Sequence, residues 1–101
     1  MIMLKYGIEQ DIWDRIIKVI CAYKQIHQII LFGSRAKGNF RNGSDIDLAV
    51  KGDNPDFHLL LDIRITLDDL NLPWEIDIID YDKAPVELKE HIDRVGIELS
   101  V

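Results

Sequence analysis

A chain of 101 residues, 48% hydrophobic and 30% charged, has the make-up of a soluble globular protein with room for one modest core, so residues 1–101 are expected to form a single domain. Its net charge of −6 argues against extended binding to a nucleic-acid backbone, which calls for a basic face. No apolar run nears the ~20 residues of a membrane span. Cys21 is the one cysteine and the opening Met1-Ile-Met-Leu-Lys-Tyr-Gly lacks a secretory apolar segment, so a reducing cytoplasm is the expected setting.

Ile12, Trp13, Ile16, Ile17, Ile20 and Cys21 recur at helical spacing and predict an amphipathic helix over about residues 8–25. Ile26 to Phe32, with its run Ile29-Ile30-Leu31-Phe32, predicts a buried strand. Gly33-Ser34 ends that strand, and Ser34 is a candidate N-cap for a helical turn through Ala36 and Lys37. Gly38 to Gly43 is a loop by composition. Asp45 to Val50 alternates as a second strand, and Lys51 to Asn54 turns the chain. Pro55, with Asn54 as cap, is expected to open a helix. Its stripe, Leu59, Leu60, Ile63, Leu67 and Leu70, ends at Asn71-Leu72-Pro73. Trp74 to Tyr81 predicts a third strand, Pro85 a last helix ending near Gly96, and Ile97 to Val101 an edge strand or partner-facing tail. The short first connection suits an antiparallel pair and the helical one a parallel crossover. The fold class is α/β (α+β), with helices packed on a small mixed sheet.

Alternation along the second strand puts Asp45 and Asp47 on one face and Ile46, Leu48 and Val50 on the other. Alone, such a pair reads as solvated charge that protects an edge strand. Two neighbouring features turn the reading toward phosphate chemistry. Gly33-Ser34 offers backbone N–H groups and a hydroxyl, and Arg35, Lys37 and Arg41 offer cations. Paired carboxylates repel unless a cation lies between them, and Mg²⁺ takes such oxygens together with substrate phosphates. A two-metal site wants a further carboxylate, for which Asp77 on the third strand is the candidate. His27, His58 and His91 lack ligand-like spacing and are read as packing or surface residues.

Gly33-Ser34, ten intervening residues and Asp45-Ile46-Asp47 resemble the pattern of the nucleotidyltransferase superfamily related to the DNA polymerase beta palm. The fuller run Gly-Ser-Arg-Ala-Lys-Gly…Ser-Asp-Ile-Asp-Leu-Ala-Val is similar to the minimal nucleotidyltransferase (MNT) domains, over essentially the whole chain. Lys37 stands where an arginine is more usual. The resemblance implies transfer of a nucleoside monophosphate, AMP from ATP in the first instance, to a hydroxyl with Mg²⁺, two ions, as cofactor. It implies Gly33, Ser34, Arg35 and Lys37 at the triphosphate, Asp45 and Asp47 at the metals, and Asp77 as the third, deprotonating carboxylate. It also implies a HEPN-domain toxin as hetero-oligomeric partner, neutralised in some cases by adenylylation of a tyrosine. A masking antitoxin without chemistry, and transfer to a small hydroxylated molecule such as an aminoglycoside, are the alternatives.

Overall fold

The computed structural model describes residues 4–99. Strands β1 (Leu4–Lys5) and β2 (Ile8–Glu9) form a hairpin ahead of helix α1 (Gln10–Cys21). The helix therefore starts two residues later than its periodicity suggests. Tyr6 and Gly7 link the two strands with φ of 55° and 81°, the double positive φ that a tight two-residue hairpin turn requires.

The main sheet comprises β3 (Ile26–Phe32), β4 (Ile46–Gly52), β5 (Ile76–Asp80) and β6 (Ile97–Leu99), in the order β5-β4-β3-β6. β3 runs antiparallel to β4 and β6, and β4 runs parallel to β5, so the sheet is mixed as expected. The parallel step is made by α3 (Phe57–Asp68), and α4 (Val86–Val95) connects β5 to the edge strand β6. Ser100 and Val101, the end of the predicted tail, lie outside the described residues. Among the described residues no helix is long and apolar enough to cross a membrane.

Two caps differ from expectation. The α3 cap is Asp56, whose carboxylate accepts from the Leu59 N–H at 2.8 Å; Asn54 instead turns the chain with φ 48°. Ser34 lies inside α2 (Gly33–Lys37) and makes no capping bond; Phe32 holds the cap position in extended backbone.

The alternation of each strand divides the core. Ile46, Leu48 and Val50 of β4 pack with Ile29 and Leu31 of β3 under α1 and α3, where Trp13, Ile16, Ile20, Ile63 and Leu67 close the layer. On the opposite face Ile30, Phe32 and Ala49 meet Ile92 of α4. That helix covers only part of its face. Asp47 and Asp77 lie toward the starts of β4 and β5, at the edge of the apolar cluster formed with Ile92, where Phe32 of that cluster pairs with Asp47.

Candidate active site

Asp47 and Asp77 are directly paired across the parallel β4–β5 ladder. Neighbouring strands lie ~4.8 Å apart and paired residues share a face, so the two carboxylates stand side by side. Asp45 is exposed just before β4 begins. Burial, then the charge of Asp77 and then that of Asp45, push the Asp47 carboxyl above its ordinary value of 3.8. The repulsion expected from the sequence is therefore present, centred on Asp47.

The Gly-Ser turn closes on the same carboxylate. Phe32 pairs with Asp47 across the β3–β4 ladder, and Gly33 follows with φ 74°. A Cβ at Gly33 would collide with Asp47 Oδ2. Glycine is required here twice over, by the positive φ and by the close approach. Ser34 is half-buried beside it.

The cations divide. Lys37 and Arg41 are exposed. Arg35 was expected at the triphosphate, but it is only 1% exposed and faces the other way. Its Nη1 donates to the Tyr6 carbonyl at 2.8 Å. Nε and Nη2 donate to the Ser44 carbonyl at 3.1 and 2.9 Å, and Nη2 also reaches the Asn42 carbonyl at 3.2 Å. The rings of Phe40 and Trp74 lie 5.1 and 5.7 Å from the guanidinium. A planar five-donor group satisfies three loop carbonyls together, which explains an arginine here. Arg35 shapes the loop that leads into Asp45, its donors turned to that loop and the hairpin.

Sequence reasoning missed Arg64. Its Nη2 donates to Asp77 Oδ1 at 2.9 Å. α3 packs on the opposite face of the sheet through Ile63 and Leu67, but β5 is an edge strand, so a long side chain can reach round it. No motif marks this residue. Asp80, the other acid of β5, is buried and accepts from the Asp82 N–H at 3.1 Å, capping the 3₁₀ turn Tyr81–Lys83.

Among the described residues no three Asp, Glu, His or Cys side chains converge into a complete metal cage. The Asp47–Asp77 pair nevertheless fits Mg²⁺, which prefers hard oxygens and is commonly held by one or two carboxylates with phosphate and water completing the shell. The charges of Asp77 and Asp45 add to burial in raising the Asp47 pKa, and a cation would offset that repulsion.

The family described as "Polymerase beta, Nucleotidyltransferase" matches residues 14–100. The chain belongs to that family. It is 34% identical over 67 residues to the probable protein adenylyltransferase MntA of Haemophilus influenzae, covering 65% of this chain and 59% of that protein. It thus spans about three-fifths of the length of this curated relative. A crystal structure of a toxin–antitoxin with AMP-PNP superimposes with a TM-score of 0.74 at 27% identity, covering 86% of this chain and 71% of that one. A structure of a tri-AMPylated Shewanella oneidensis HEPN toxin in complex with its MNT antitoxin gives 0.68 at 25%, covering 86% and 67%. The nucleotidyltransferase fold implied by the resemblance is thus matched over most of the chain.

Proposed function

We propose that this chain is a Mg²⁺-dependent nucleotidyltransferase that moves AMP from ATP onto a hydroxyl, a tyrosine, of a HEPN-domain toxin and thereby acts as its antitoxin in the cytoplasm. The observation that carries the chemistry is the Asp47–Asp77 pair, adjacent across β4–β5, with Asp47 close against Gly33. The similarity to an adenylyltransferase and to toxin–antitoxin complexes supports the acceptor class.

Asp47 and Asp77, with Asp45 at the exposed edge, would hold Mg²⁺, two ions, which would neutralise the triphosphate and polarise the phosphorus under attack. Gly33 leaves room for phosphate to approach the backbone at Ser34, and exposed Lys37 supplies charge to the leaving end. Asp77 accepts the proton of the acceptor hydroxyl. The hydroxyl oxygen bonds to the α-phosphorus, the bond from phosphorus to the bridging oxygen breaks, and pyrophosphate leaves with that electron pair. Arg35 takes no part, since its donors are committed to loop carbonyls.

The test incubates the chain with its HEPN-domain partner, ATP and Mg²⁺ and weighs the partner by mass spectrometry. Wild type should add one or more AMP groups. Asp77→Ala should slow this by at least ~10²-fold, the low end for a lost general base, while still binding the partner. A partner that is inhibited yet unmodified would replace this reading with simple masking.

A further inference from the structure

We infer that Arg64 is a positioning residue of the site: its guanidinium stands in for the metal at Asp77 and yields the carboxylate when the ion arrives. The inference rests on the metal-site reading above. Among the described residues three ion pairs form, His27–Asp53, Arg64–Asp77 and Lys83–Asp80, so Arg64 alone brings a cation to the acidic pair. Arg35, beside the Gly-Ser turn, is turned into the loop. Asp77 would otherwise face Asp47 across the ladder without a counter-charge.

Three features make this contact exchangeable. The side chains are 52% and 46% exposed, so water screens the attraction and the pair is weakly held. The contact is a single Nη2–Oδ1 bond at 2.9 Å, without the bidentate fork that makes Arg–carboxylate pairs strong. The residue also approaches from α3, whose place is fixed by buried Ile63 and Leu67, so the guanidinium can swing away without disturbing the helix. Bound, Arg64 orients Asp77 and offsets repulsion; released, it stays within reach of the same site. A helix on the opposite face thereby controls how readily the acidic pair accepts a cation.

The experiment titrates Mn²⁺, a paramagnetic stand-in for Mg²⁺, into nucleotide-free protein and follows the free ion by electron paramagnetic resonance. Removing a weak competitor should tighten binding, so Arg64→Ala and Arg64→Gln should each lower the Mn²⁺ Kd about three- to fivefold. Arg64→Lys, which keeps the charge, should stay within about twofold of wild type. In EDTA, Arg64→Ala should melt about 1–5 °C below wild type, and saturating Mn²⁺ should close that gap. Equal or weaker Mn²⁺ binding by Arg64→Ala and Arg64→Gln would overturn the inference while leaving the metal site intact. Absence of Mn²⁺ binding in wild type, or undiminished binding in Asp47→Asn, would instead overturn the metal site and this inference with it.

Discussion

The two faces of the sheet are built to opposite rules. Beneath α1 and α3, Ile46, Leu48 and Val50 are each 0% exposed and belong to the larger apolar cluster. On the other face, one residue along, Ala49 packs against Ile92 of α4, while Asp47 stands where the apolar cover has ended. The site therefore arises where a covering helix stops short. Because the sealed face carries the hydrophobic stabilisation, the open one can hold like charges side by side. Adjacent residues of one strand thus face a sealed core and an open acidic edge in alternation.

Three substitutions sharpen that contrast. Leu48→Ala removes a fully buried side chain from the sealed face and should cost about 2–5 kcal/mol in denaturant unfolding. Arg35→Ala should cost less, about 1–3 kcal/mol, because loop carbonyls lose a charged donor but lie near water and can partly rehydrate. Asp47→Asn, next to Leu48 in sequence, should cost nothing in metal-free protein and should raise stability by about 0–1 kcal/mol at neutral pH. The sign follows from linkage. The folded state raises the Asp47 pKa above 3.8, so the contribution of this one group is fully present below that value and is lost as pH rises through the folded pKa. The advantage of Asp47→Asn should thus be greatest near neutral pH, shrink as the pH falls toward 3.8, and narrow in high salt. A large loss from Asp47→Asn would erase the distinction between the faces.

How far the sequence reveals this depends on how local each signal is. The bounds of β3, Ile26–Phe32, coincide with the strand read from the sequence, whose apolar run Ile29-Ile30-Leu31-Phe32 is closed by Gly33. Asp47 and Gly33 belong to one contiguous motif, and Asp77 follows from alternation in its own strand; their adjacency needs only the parallel register. Arg35 misled because a cation beside Gly-Ser looks like a phosphate ligand. Its burial depends on Tyr6, Phe40, Asn42, Ser44 and Trp74, which only the fold brings together. The hairpin at Leu4–Glu9 was hidden by helical periodicity that extends back to Ile8, although Tyr6-Gly7 is a legible turn signal. Arg64 left no signal, since its contact depends on how α3 sits against the β5 edge.

The central claim is that the open end of the sheet holds a nucleotide through a divalent cation bound by neighbouring carboxylates. Thermal unfolding with and without ATP and Mg²⁺ tests it most directly, because a ligand that binds only the folded state stabilises it by mass action, about 2.7 kcal/mol at a hundred times its Kd. Wild type should melt several degrees higher with ATP and Mg²⁺ together than with either alone. The double variant Asp45→Asn with Asp47→Asn should fold normally and show no such rise. An equal rise in both proteins would contradict the account.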